Sequence, residues 1–275
     1  MFSRILLLLL AAAAPVVASS LDLQTTTGSA PTPVEPANDP CENGAQYTLL
    51  KRLGVMTEDG GYPDNVFTAC QYLPFDEYTA LVAVMQPSKT PGRFEQQGEL
   101  DLHLLQINND AEVFAEGYFP GAGETGGYTL SGITFDLSLS GITSKLGGFA
   151  VTSANSSHCS ACDADIGQDD YSLFVLSEKS IDWVLKRHTV ATEETDRAAN
   201  AANCVNAGKA SNTEIKLGNA RHHGLLDLIF TTTSKQLPGM LLESLADCAA
   251  TEPPVVTQQT WQFDGREYRP VTAKP

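Results

Sequence analysis

Positive charge is scarce in this chain of 275 residues, where 17 Lys and Arg face 33 Asp and Glu. The resulting field repels phosphate backbones and anionic lipid headgroups, so neither nucleic acid nor a membrane surface is an expected partner. Apolar runs of spanning length are also missing. The longest, Ile5 to Ala18, is broken by Pro15 and is shorter than the roughly 20 residues a membrane helix needs. The motifs of the common enzyme classes are missing too: there is no G-x-S-x-G elbow, no H-E-x-x-H helix and no phosphate loop ending in lysine. A triad dispersed over His103, His188 and the other histidines has no sequence signature, so no catalytic residue is nominated.

The first residues have the layout of a secretory signal. Arg4 supplies positive charge, Ile5 to Ala14 is unbroken and apolar, and Val16 and Ala18 suit a cleavage site. Residues 1–20 are therefore expected to be removed on export. Residues 21–40 follow as a Thr/Pro-rich linker, with Pro31, Pro33, Pro36 and Pro40 at close intervals and almost no apolar face to bury; disorder is expected there. Residues 41–275 hold the folded domain, with a division into two subdomains near 145–155 as an alternative. The product is expected to be soluble and periplasmic or extracellular, and its acidity suits solubility there.

Cysteine is sparse but even in number. The six residues Cys41, Cys70, Cys159, Cys162, Cys204 and Cys248 suggest disulfides in an exported chain and allow 15 connectivities. Proximity in sequence favours Cys41 with Cys70, Cys159 with Cys162, and Cys204 with Cys248.

What the chain does contain is alternation at period two, the mark of half-buried strands. Leu100, Leu102 and Leu104 alternate with Asp101 and His103, and Ile133, Phe135, Leu137 and Leu139 alternate with Thr134, Asp136 and Ser138. Each run reads as a strand with one covered face. Further strands are expected at Tyr78 to Met85, Glu112 to Tyr118, Phe149 to Ser153, Tyr171 to Leu176, Trp183 to Val190, Glu214 to Leu217 and Leu225 to Thr233. Turn chemistry separates them at Asn108 to Asp110, Gly121 to Gly127, Gly147-Gly148, Ser177 to Lys179 and Asp264-Gly265. Helical signal is thin, with short helices expected at Ala191 to Ala202 and Met240 to Ala250. The expected fold is mostly β, a sandwich-like antiparallel assembly with one or two short helices; a degenerate small propeller and a barrel are the alternatives.

A short pattern recurs, in which glycine is followed three residues later by aspartate and then an apolar strand. It occurs at Gly98 and Asp101, at Gly167 and Asp170, and at Gly224 and Asp227. The glycine tolerates a left-handed turn and the carboxylate can accept nearby backbone N–H groups as the strand begins. Together with the final Trp261-Gln262-Phe263-Asp264-Gly265-Arg266-Glu267-Tyr268, this pattern resembles exported bacterial proteins, some of which carry integrin-like FG-GAP repeats. The resemblance covers about a third of the chain and implies a secreted β protein without implying an activity. It also implies a terminal hairpin in which Asp264-Gly265 forms a type I′ turn, with Trp261, Phe263 and Tyr268 packing across it.

FG-GAP repeats often carry calcium loops of alternating aspartates, so Asp163, Asp165, Asp169 and Asp170 are the calcium candidates. Gly167 stands where a ligand is wanted and Gln168 replaces the loop glycine, so an acidic, turn-forming loop without metal is the competing reading. No other cofactor is expected. Cys159-Ser160-Ala161-Cys162 is either a redox pair or a structural staple; redox pairs of the thioredoxin type open a helix, and here an acidic stretch and a strand follow. Zinc would need Cys159, Cys162, His158 and the pair His222-His223 to meet, which adjacent histidines on an extended segment do not favour. Gly121-Ala122-Gly123-Glu124-Thr125-Gly126 matches the dinucleotide fingerprint in letters, but no helix is expected after it, and it reads as a hairpin loop. The resulting expectation is a non-catalytic binding or structural module, with a thiol-disulfide or metal enzyme centred on Cys159 and Cys162 as the alternative.

Overall fold

The computed structural model describes residues 41, 45–57, 59–74, 76–143, 147–159, 164–196, 204–241, 248 and 252–271. The expected signal segment and linker lie outside them. Strands β1 (Phe67–Leu73), β2 (Asp76–Pro87), β3 (Glu99–Asn108) and β4 (Val113–Glu124) form one sheet in chain order. A second sheet takes β5 (Thr129–Asp136), β6 (Gly148–Cys159), β7 (Ala164–Leu176), β8 (Ile181–Asp196), β9 (Cys204–His222), β10 (Leu225–Leu241), β11 (Val255–Phe263) and β12 (Tyr268–Pro270), again in chain order. All pairings within the sheets are antiparallel, so each sheet is a meander. The sandwich-like antiparallel assembly expected from the alternation is the observed fold, and among the described residues no barrel closes.

The sheets are joined by a common core in which side chains from both interdigitate. Leu81, Ala83 and Met85 of β2 and Leu100, Leu102 and Leu104 of β3 meet Phe149 of β6 and Phe174 of β7. Phe119 of β4 lies 4.9 Å from Phe174 and 5.6 Å from Trp183 of β8, ring centre to ring centre. Phe149 and Phe174 are almost completely buried, and each such side chain stabilises the fold by about 1.5–3 kcal/mol through area removed from water. The step from one sheet to the other falls between Glu124 and Thr129, and residues 148–155 lie inside β6.

The first sheet is covered on both faces, which corrects the expectation of one covered side. Helix α1 (Ala45–Arg52) lays Leu49 and Leu50 over Ala80, Val82 and Val84 of β2 and Leu105 and Ile107 of β3. This explains why Leu104 and Leu105 are both buried and why the alternation fades at Gln106. The helix stops at Gly54, whose left-handed φ of 67° lets Leu53 and Val55 donate to the carbonyls of Leu49 and Leu50. A disulfide between Cys41 and Cys70 ties the segment before α1 to β1, as proximity in sequence favoured. Cys248 is disulfide-bonded as well. The expected pairs of Cys159 with Cys162 and Cys204 with Cys248 involve side chains outside the described set.

Both expected helices are displaced by strands where the chain is described. Ala191 to Asp196 continues β8 and Met240-Leu241 ends β10, because cross-strand pairing with β7 and β9 outweighs the weak helical preference of short alanine- and leucine-rich runs. A second short helix, α2 (Arg93–Gln97), sits between β2 and β3. Gly121 to Glu124 belongs to β4, and the chain then crosses to β5 of the other sheet, so the fingerprint-like glycines are not a hairpin loop.

The C-terminal hairpin forms with Trp261 opposite Pro270 and Phe263 opposite Tyr268, but its loop is longer than expected. Four residues, Asp264 to Glu267, close it, and the Asp264 carboxylate accepts the N–H groups of Arg266 and Glu267 at 2.8 and 2.9 Å. Those bonds, with Arg269 beside them, hold the Asp264 carboxyl down at about 2. The two-residue turn with positive φ at both positions lies elsewhere, at His223 (47°) and Gly224 (90°) between β9 and β10. This is I′ geometry, supplied by His-Gly rather than Asp-Gly.

Candidate binding face

The recurrent Gly-to-Asp pattern marks the three buried aspartates of the described residues: Asp101, Asp170 and Asp227. Each stands at a register shift, in β3 against β4, β7 against β8, and β10 against β9. A bulge interrupts the ladder and leaves room for a side chain that replaces the missing contacts. The Asp101 carboxylate accepts the N–H of Lys89 at 3.1 Å, the N–H of Gly121 at 3.0 Å, and the hydroxyl of Tyr118. Burial opposes its charge, but these donors win and hold the carboxyl below its ordinary value, while burial and the carboxylate together push Tyr118 up to about 12. Asp170 takes Arg187 at 3.4 Å and Thr189 at 2.9 Å; the same guanidinium reaches Glu124 of the first sheet at 3.2 Å. Asp227 takes His222 Nδ1 at 2.6 Å and the Gln262 amide at 3.3 Å. Among the described residues, backbone donors reach Asp101, while the bonds to Asp170 and Asp227 come from side chains.

The same strands and partners position the metal candidates. Asp165, Asp169 and Asp170 lie on β7 rather than in a loop, and an extended strand sends Asp165 and Asp169 to one face and Asp170 to the other. The Asp165 carboxylate accepts from His158 Nδ1 across the β6–β7 pair at 3.1 Å, and Asp170 is held by Arg187. Asp163 lies outside the described residues. For zinc, His158 and His222 are occupied by separate aspartates, and among the described residues no group of three or more His, Cys, Asp or Glu is placed to hold a metal. Cys162 and the Cys159 side chain lie outside the described set, but Cys159 ends β6 and pairs with Ala164 at the start of β7. The expected strand after the C-x-x-C motif is therefore present.

A surface that sequence reasoning missed occupies the far half of the second sheet. There β6 to β11 continue beyond the aromatic core, and one face carries two rows of cross-strand neighbours. The first row is Ser156, Gly167, Glu193, Ala210 and Lys235; the second is Ala154, Asp169, Ala191, Asn212, Thr233 and Val256. Cross-strand partners share a face, so across β7 to β10 small residues alternate with longer polar ones in both directions. Gly167, Ala191 and Ala210 are half-buried and form a floor, while Glu193, Asn212 and Lys235 stand exposed as walls. The result is a shallow cavity of about 490 Å³ lined by Gly167, Asp169, Ala191, Asn212 and Lys235 among others.

A second cavity of about 720 Å³ follows along the same strands, lined by Asp136, Thr152, Tyr171, Glu214 and Lys216. Asp169 lines the first cavity, opposite Ala191. Burial and the neighbouring Asp170 raise its carboxyl above the ordinary value, and it has no side-chain hydrogen bond or ion pair among the described residues. An incompletely solvated acceptor on a small-residue floor accommodates a ligand that brings donors. The signal for this face was present in the sequence as the polar, small-residue stretches of Ala191 to Thr195 and Gly208 to Thr213. Their helix-like alanines and lack of apolar alternation concealed it.

Fold and site together define an antiparallel two-sheet β protein with an open polar face and disulfide staples. No protein-family model, curated protein or solved structure matches the chain. Among the described residues, no helix is long and apolar enough to cross a membrane.

Proposed function

We propose that the chain is an exported, non-catalytic binding module whose far second-sheet face takes an elongated, hydroxyl-rich ligand of the oligosaccharide class. The observation that carries this reading is the checkerboard of half-buried small residues and exposed polar residues around Asp169, which offers acceptors to a ligand rich in donors. Two carboxylates, an amide and hydroxyls line the floor and walls within hydrogen-bonding reach of a shallow chain lying across the strands, and Lys235 anchors one side. Export rests on the signal-like first 20 residues, and the cysteine pairing agrees with an oxidising compartment. The resemblance to secreted FG-GAP-like proteins is part of the same reading. The module works by presentation of a preformed surface, without a covalent step.

Purified mature protein applied to an array of neutral and amino-bearing oligosaccharides is expected to retain one class of glycan. Ala191→Trp fills the floor without touching the aromatic core, so it should abolish retention at an unchanged melting midpoint. Failure of every glycan to bind, or retention unaltered by Ala191→Trp, overturns the reading.

A further inference from the structure

The last long strand of the second sheet leaves part of its outer side unpaired. β12 pairs with β11 only at Trp261 to Phe263, and the N–H of Val271 donates to the Thr260 carbonyl at 2.8 Å. In an antiparallel strand the N–H and C=O of one residue point to the same side, and the side alternates along the chain. Thr260 points outward, toward β12, so Gln258 and Val256 point outward too, while Gln259, Thr257 and Val255 pair inward with β10. No strand among the described residues pairs with the outer side of Val255 to Gln259. The stretch is fully strand, and Val255 and Val256 are 61% and 62% exposed. An open, uncharged edge is a template for another strand.

We infer that this edge pairs with the same edge of a second copy of the chain, by antiparallel strand addition about a two-fold axis at Thr257. The charge distribution selects the occupant. The chain carries a formal net charge of −16, so two copies repel over most of their surface, whereas Val255-Val256-Thr257-Gln258-Gln259 contains no charge at all. A second copy can approach there without setting like charges opposite one another. Alternation then fixes the register. Val256 lies opposite Gln258 of the other copy, and each pair exchanges both backbone bonds, giving four across the axis. Thr257 faces its own counterpart, and Val255 faces Gln259. Pro253 and Pro254 on one side and β12 on the other end the open stretch, so the register cannot slide far. Pairing in this way joins the two second sheets into one and makes the row that ends in Val256 continue into the other copy. The association needs no ligand and goes beyond the proposed glycan binding.

Sedimentation equilibrium of the whole mature protein over a concentration series tests it. A reversible dimer is expected. Val256→Pro deletes an outward N–H in each copy while leaving the pairing with β10 intact, and it should weaken the dimer roughly tenfold or more. Thr257→Lys, which sets two like charges face to face across the axis, should leave a monomer with an unchanged melting midpoint. A wild-type chain that stays monomeric at the highest concentration overturns the inference, whatever extended peptide it retains. A dimer of unaltered affinity in both variants overturns it equally.

Discussion

His188 shows how one side chain can be constrained by its surroundings on a sheet face. It stands edge-on between Phe230 and Trp261, with ring centres 4.8 and 5.0 Å away. Burial disfavours the charged imidazole and lowers its pKa, and Asp170 only partly opposes this. The unfolded chain therefore takes up the proton first. Stability from this residue is complete above the ordinary histidine value of about 6.5 and falls as the pH drops through it, levelling off below the folded value. His103 is displaced in the same direction by burial, with Glu116 opposing. Urea midpoints measured between pH 8 and pH 5 should decline, and His188→Leu should reduce that decline without abolishing it. A slope unchanged by His188→Leu would show that the imidazole protonates freely in the fold. Trp261 itself is only half-buried, so truncating it costs less than the 3–5 kcal/mol typical of a fully buried ring; Tyr268, 3% exposed and donating to the Leu226 carbonyl, is the buried aromatic of the hairpin.

Elements are held by links that differ in how visible they are in sequence. The Cys41–Cys70 bridge closes a separation of 29 residues around α1 and β1, and a loop of that size restricts the unfolded chain by about 3–4 kcal/mol at room temperature in the chain-entropy treatment. Replacing both cysteines by serine should lower unfolding stability by about that amount and expose α1 to early proteolysis; no loss of stability would mean that Leu49 and Leu50 hold the helix unaided. The strands of the core were legible because period-two alternation is imposed by burial on one face, as at Phe149 to Ser153 and Leu225 to Thr233. The far ends of β8, β9 and β10 were not, because both faces there are polar and burial imposes no pattern. Helix α1 was missed for a related reason: its eight residues bury only one short stripe, and the sheet face that receives it reads as alternation either way. The Gly-to-Asp pattern was legible as chemistry, but its partners come from other strands and local spacing could not name them.

At the scale of the whole molecule, the question is whether the two meanders are one cooperative unit or two. Sequence left a division near 145–155 open, and a chain of two sheets that follow one another without crossing over could fold as two halves. The side chains argue otherwise. Phe174 of the second sheet is completely buried and touches Phe119 of the first, Phe149 beside it, and Trp183, while Leu100, Leu102 and Leu104 contribute to the same cluster. Arg187 adds a polar clasp from β8 to Glu124 on β4. Neither sheet can expose its inner face without exposing the other's. Phe174→Ala should therefore cost about 3–5 kcal/mol, the range for emptying a buried aromatic site, and the cost should be felt in both sheets. Native-state hydrogen exchange read by mass spectrometry can separate the alternatives: in a cooperative unit, amides of Leu102 to Leu105 on β3 lose protection in step with those of Leu173 to Val175 on β7. Protection that falls only in the second sheet would show that the first, pinned by α1 and its disulfide, stands alone.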